Sequence, residues 1–101
     1  MLDFSSFHPS AREEFLERVR FQTANYPELA DEWLSSVETA VAQILKDPLQ
    51  PREREFGHRR VNLGKFPHYL AYIVRGDRVW FVAFGSGSQD HLYWKERLEP
   101  G

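Results

Sequence analysis

Cysteine is absent from the 101 residues, which removes disulfides and thiolate metal ligands and leaves no requirement for an oxidising compartment. No apolar run approaches the roughly eighteen residues that a membrane-crossing helix needs. The opening MLDFSSFHPS has neither the basic start nor the apolar centre of a signal peptide, so the chain reads as cytoplasmic. Gly85-Ser86-Gly87-Ser88 lacks the lysine and spacing of a phosphate-binding loop, and Ser86 lacks the glycine pattern of a hydrolase nucleophile. The four histidines, His8, His58, His68 and His91, include no pair at helical i, i+4 spacing and no HExxH, so neither a metal nor a cofactor is expected. Repeats and low-complexity segments are missing too. Arg75-Gly76-Asp77 spells an adhesion tripeptide, but in this chain it is a turn that Gly and Asp favour.

What is present is an ordinary globular composition, 42% apolar and 28% charged, enough for one domain over residues 1–101 with one core. The net charge of −2 is unevenly spread. Residues 1–50 hold four Lys/Arg against nine Asp/Glu (−5), residues 51–75 six against two (+4), and residues 76–101 three against four (−1). A basic stripe on an acidic body suits an acidic protein partner, or a nucleic acid touched over a small area. Direct nucleic-acid binding is not expected, because it rests on many phosphate contacts and a strongly positive face.

The organising stretch is Pro67 to Phe84, PHYLAYIVRGDRVWFVAF. Two β-branched and aromatic runs, Tyr69 to Val74 and Val79 to Phe84, flank Arg75-Gly76-Asp77-Arg78 and predict a hairpin. Neither run alternates cleanly, so both faces of the hairpin need a cover: helices on one side, and a loop, a terminus or a partner on the other. Ahead of it, Leu2, Phe4 and Phe7 give a weak strand signal, an edge strand beside the hairpin. His8-Pro9-Ser10 then opens a helix, with Glu13 and Glu14 placed in its first turn, where the dipole favours negative charge. Ala11, Phe15, Val19, Gln22 and Tyr26 recur at helical spacing, and a second helix follows from Leu29 through Trp33, Leu34, Val37, Val41, Ile44 and Leu45 to Lys46 before Pro48. Residues 47–57 form a loop and Arg59 to Leu63 a short strand ended by Gly64. After the polar loop Gly85 to Asp90, the tail HLYWKERLE predicts a short helix capped by Asp90. The order is β-α-α-β-β-β-α, an α+β fold with a helical hairpin on one face of an antiparallel sheet of three to four strands.

That order, with several local phrases, resembles the RelE/ParE superfamily of type II toxin-antitoxin toxins, on the ParE side. The phrases are Phe7-His8-Pro9-Ser10-Ala11, Leu29-Ala30-Asp31-Glu32-Trp33-Leu34, Ile44-Leu45-Lys46-Asp47-Pro48, Arg59-Arg60-Val61-Asn62-Leu63 leading into Lys65-Phe66-Pro67-His68-Tyr69-Leu70-Ala71-Tyr72, and Asp90 to Leu98. The resemblance implies a toxin neutralised by a cognate antitoxin whose disordered segment folds around the sheet and helical hairpin, in a hetero-oligomer. ParE-like members poison DNA gyrase through protein contacts and serve plasmid stabilisation; RelE-like members cut messenger RNA on the ribosome. Where the family usually carries a histidine and basic residues after the last strand, this chain has Ser86, Gly87, Ser88 and Gln89. A ribonuclease would therefore have to use Arg59, Arg60, Lys65 and Tyr93, because phosphate chemistry needs cations and an ionisable group at the reacting centre. The resemblance also leaves room for a non-toxic member that keeps antitoxin binding.

Contact residues for antitoxin or target are expected among Arg52, Arg54, Arg59, Arg60, Lys65, His68, Trp80, Gln89, Tyr93, Trp94 and Arg97, with Asn62 beside them. Each has a plainer role. The basic residues equally make a solvated strand edge that resists aggregation. Tyr93 and Trp94 suit an interface anchor, yet a tryptophan in a terminal segment more often pins that segment to the core. Trp33 is core by its periodicity, and Trp80 divides between core and antitoxin groove.

Overall fold

Proline, a cap and the apolar stripe fix where the first helix begins and which way it faces. In the computed structural model, which describes residues 3–87 and 92–98, helix α1 spans Pro9–Asn25. Pro9 takes a first-turn position, and His8 caps it by accepting from the Ser10 N–H at 3.0 Å through Nδ1. Its buried residues are Ala11, Phe15 and Gln22. Glu13 and Glu14 lie beyond the first turn, and Glu14 is used elsewhere. A 3₁₀ turn, Pro27–Leu29, leads to α2, Ala30–Lys46, with Asp31 and Glu32 in its first turn and Lys46 in its last, as the dipole favours. Trp33, Val37, Ala40, Val41 and Ile44 are buried, whereas Leu34 and Leu45 of the same apolar set face outward.

Three strands follow: β1 Arg59–Asn62, β2 His68–Arg75 and β3 Arg78–Ser86. They form one antiparallel sheet in the order β1-β2-β3. Arg75 pairs with Arg78 across a two-residue turn whose first member, Gly76, has φ 63°, a geometry that suits the twist of paired strands and favours a residue without Cβ. The pairing slips between Ala71 and Tyr72, where Ala71 faces Ala83 and Tyr72 faces Phe81. Val82 is thus an extra residue in β3, a bulge. It lets Val82 and Ala83 both join the core on one face while Phe81 and Phe84 serve the other.

Both faces are covered. On the helical side Phe15, Trp33, Val37, Ile44, Leu70, Tyr72, Phe81 and Phe84 form the larger core. On the other side Tyr69, Ala71, Ile73, Val82 and Ala83 pack with Trp94, and Leu92, Tyr93 and Leu98 are partly buried against them. The cover expected from a loop, a terminus or a partner is supplied, on this face, by the chain's own 92–98 segment.

Both ends differ in detail from the sequence reading. Leu2 lies outside the described residues, and the expected first strand is a 3₁₀ turn, Phe4–Ser6, in which Asp3 accepts from the Ser5 N–H at 2.9 Å. That local hydrogen bond competes with strand pairing, and the segment pairs with the sheet only through a single parallel bridge from Phe7 to Phe81 among the described residues. Asp90, His91 and Glu99 are likewise outside the described residues. The rest of the predicted terminal helix is a turn followed by a 3₁₀ segment, Lys95–Leu98. So short a segment gains little from helical nucleation, and its side-chain contacts with the sheet set its path.

Candidate functional site: a split basic ridge and a sealed strand edge

Alternation along β1 sends neighbouring arginines to opposite faces of the sheet. Arg59, opposite Tyr72, turns to the helical side, where its Nη1 donates to the Pro51 carbonyl at 2.6 Å and more weakly to that of Leu49 at 3.4 Å. Tyr72 Oη donates to the Pro48 carbonyl at 2.7 Å. Together they tie down the loop after α2, so Arg59 is committed to structure.

Arg60, opposite Ala71, turns to the other face and lies over the Tyr69 ring, 4.0 Å from its centroid, a cation–π contact. The same ring also meets Gly85: a Cβ there would stand 2.3 Å from Tyr69 Cζ. Arg52 and Arg54 are exposed. Partial desolvation, then the charges of Arg52 and Arg60, hold the Arg54 guanidinium below its ordinary pKa, which places Arg52 and Arg60 each within electrostatic reach of Arg54. Lys65 instead pairs with Glu32 of α2 at 2.6 Å, both well exposed, a contact worth little in water. The basic stripe is therefore split: Arg52, Arg54 and Arg60 form a ridge, while Arg59 and Lys65 face α2 and its following loop.

The edge of β3 is sealed. His8 N–H donates to the Phe81 carbonyl at 2.8 Å, and the Phe84 N–H donates to Glu14 Oε1 at 3.1 Å. Arg97 Nη1 donates to the Val82 carbonyl at 2.9 Å and to Glu14 Oε1 at 2.8 Å, and Nη2 to Glu14 Oε2 at 3.0 Å. Arg97, expected as a contact residue, is thus consumed by α1 and β3. Burial lowers its pKa, but the Glu14 hydrogen bonds and charge outweigh this and hold it above the ordinary value. The β1 edge has no further strand on it among the described residues.

The remaining candidates are placed as follows. Trp94 is fully buried against His58, ring centroids 4.5 Å apart and edge-on. It pins the terminal segment and offers no surface anchor. Tyr93 Oη reaches the Phe84 carbonyl at 3.4 Å, and burial, with Glu14 next, pushes its phenol far above the ordinary range, so it is no base at neutral pH. His68 is buried; Trp33 Nε1 donates to its Nδ1 at 3.2 Å, and burial with the charge of Arg18 lowers its pKa to about 4. Since an indole N–H only donates, the neutral imidazole carries its proton on Nε2 and cannot accept one there. Trp80 is half-buried on the second face beside His8, and Asn62 is exposed at the end of β1. Gln89 lies outside the described residues.

The four ribonuclease candidates consequently do not converge: Arg59 and Lys65 belong to the α2 side, Arg60 and Tyr93 to the other. Sequence reasoning missed Glu14, Tyr69 and Gly85, the residues around which the second face and the β3 edge are built. An invariant spacing could not have revealed Glu14 and Arg97, which are 83 positions apart. Among the described residues no His, Cys, Asp and Glu group is arranged to hold a metal ion, and no helix is long and apolar enough to cross a membrane.

Among curated proteins no sequence matches the chain. The family profile of the ParE toxin of the type II toxin-antitoxin system parDE matches residues 6–91, from the bridge at Phe7 through the whole sheet. The matched span includes both helices and all three strands, and the chain belongs to the ParE toxin family of type II toxin-antitoxin systems.

Proposed function

We propose that the chain is a toxin neutralised by its cognate antitoxin and that, when free, it acts by binding a cytoplasmic protein target, with DNA gyrase the first candidate. The observation that carries this reading is the dispersal of the ribonuclease candidates over opposite faces of the sheet, set beside the ParE family match. Stabilising a pentacoordinate phosphate requires cations and a proton acceptor held around one point. Arg59 held by carbonyls, Lys65 on Glu32 and a protonated Tyr93 do not make such a centre. A toxin that works by protein contact needs none.

The antitoxin reading is supported by the ridge of Arg52, Arg54 and Arg60 beside the open edge of β1. An extended acidic segment can add to a sheet edge through main-chain hydrogen bonds while its carboxylates meet the ridge. The exposed Asn62 and the half-buried Trp80 are further contact candidates. The test is regulated expression with and without the neighbouring reading frame, scored for growth, DNA breaks and message integrity. Growth arrest with DNA breaks and intact messages, relieved by the neighbour, is expected. Codon-positioned cuts in messages would replace this reading with RNA cleavage, and unaffected growth would make the chain a non-toxic antitoxin binder.

A further inference from the structure

Away from the basic ridge, α1 and the far ends of β2 and β3 enclose a groove of about 410 Å³, lined by Glu14, Glu17, Arg18, Phe21, His68 and Phe84 with Gly85 and Ser86. Its deep end is built rather than incidental. His68 is only 6% exposed, and its Nδ1 is occupied by the Trp33 indole, which fixes the proton on Nε2, on the side of the ring away from Trp33. Among the described residues no hydrogen bond is seen at Nε2 beside the one at Nδ1, and Nε2 is not a sealed, unpartnered atom. Phe84 stacks on the same imidazole, centroids 5.7 Å apart at 29°, and holds it in place.

The groove is lined by one guanidinium, Arg18, and two carboxylates, Glu14 and Glu17. Arg18 is the charged group felt at the His68 ring. Glu14 does not offset it, because both its oxygens are held by Arg97 and the Phe84 N–H, and the charge of Glu17 is exposed to water, which screens it. Arg18 lies over Phe21 at 5.0 Å, so its guanidinium has an apolar neighbour that is itself 44% exposed.

We propose that this groove receives an acidic side chain of a partner polypeptide, its carboxylate bonded by His68 Nε2–H and Arg18 and its flanking apolar residue laid on Phe21. A carboxylate is the group that accepts from a neutral N–H and a guanidinium together, and the aromatic wall favours a residue embedded in an apolar sequence over a free ion. The identity of the polypeptide as an antitoxin rests on the function proposed above; the chemistry of the groove does not.

The test uses the full chain with ¹⁵N-labelled histidine and binding measurements. Sodium acetate, against sodium chloride at equal ionic strength, is expected to move the His68 Nε2–H resonance. The peptide acetyl-Ala-Leu-Glu-Leu-Ala-amide is expected to move it at lower concentration than acetate and to bind about ten-fold tighter than its Glu→Gln counterpart, in line with a charge-assisted hydrogen bond. Arg18→Gln, at a half-buried position on α1 whose new side chain keeps the polar end, should abolish that preference while leaving the thermal midpoint close to the parent's. Inorganic phosphate outcompeting the Glu peptide would make the groove an anion site and overturn the proposal. Equal binding of the Glu and Gln peptides, or a resonance unmoved by acetate and both peptides, would overturn it as well. Each result is read whether or not expression arrests growth, so failure here is separate from failure of the toxin reading.

Discussion

Arg97 grips Glu14 with both ends of its guanidinium, at 2.8 and 3.0 Å, across 83 positions of sequence. The same two side chains take up the Val82 carbonyl and the Phe84 N–H, so one ion pair joins α1, the outer edge of β3 and the terminal segment. The pair is mostly shielded from water, with side chains 18% and 22% exposed. Removing one member leaves the other charge poorly solvated and unpaired. Arg97→Gln and Glu14→Gln are each expected to cost about 1–3 kcal/mol, with the double variant losing less than the sum of the two. Urea unfolding of the four proteins checks this.

Gly85→Ala tests the second face. The added Cβ would fall 2.3 Å from Tyr69 Cζ and 2.5 Å from Tyr69 Oη, and Tyr69 has Arg60 on its ring, so the ring has little room to retreat. Overpacking of this kind costs about 1–3 kcal/mol. A lowered urea midpoint is expected, together with a changed environment for Arg60 in the NMR spectrum. Because Tyr69 itself pairs with Gly85 across the hairpin, Tyr69→Ala in the Gly85→Ala background should relieve part of the clash, a coupling that a double-mutant cycle reads directly.

Trp94→Ala separates a pin from an anchor. With the indole fully buried, truncation should cost about 3–5 kcal/mol and free the terminal segment. Iodide should fail to quench Trp94 in the folded parent, read in a protein whose other tryptophans are Phe. A strongly quenched Trp94 would return it to the surface.

Much of this was legible beforehand, and the limits are physical. Trp33 as core and the β2-β3 hairpin follow from spacing and turn chemistry, which are local properties of the chain. The dual roles of Arg59 and Arg60 follow from strand alternation once β1 is placed, yet which face is which depends on where α2 packs. The Val82 bulge has no glycine to mark it, and Glu14 reads as a helix-dipole residue until Arg97 is brought to it. At the N-terminus a single Asp3 side-chain bond turns a strand-like pattern into a 3₁₀ turn, a choice that alternation of apolar residues does not encode.

Acid should weaken the fold through His68. Its pKa is about 4 in the folded chain, lowered by burial and then by Arg18, against an ordinary 6.5. The unfolded chain therefore binds the proton first as pH falls. The stability that neutral His68 contributes is complete above about pH 6.5 and is lost as pH falls toward 4, roughly 3 kcal/mol in all. A His68→Gln variant should show a flatter stability profile across that window, measured by urea unfolding at stepped pH, and direct NMR titration of the parent should place the imidazole near 4.

The central claim is that the free chain acts by protein contact rather than by cutting RNA. Its most direct test is a supercoiling and cleavage assay with purified DNA gyrase, run beside a ribosome-programmed message cleavage assay with the same preparation. Loss of supercoiling with accumulation of broken DNA, and intact message, is predicted. Unaffected gyrase together with codon-positioned message cleavage would contradict the account.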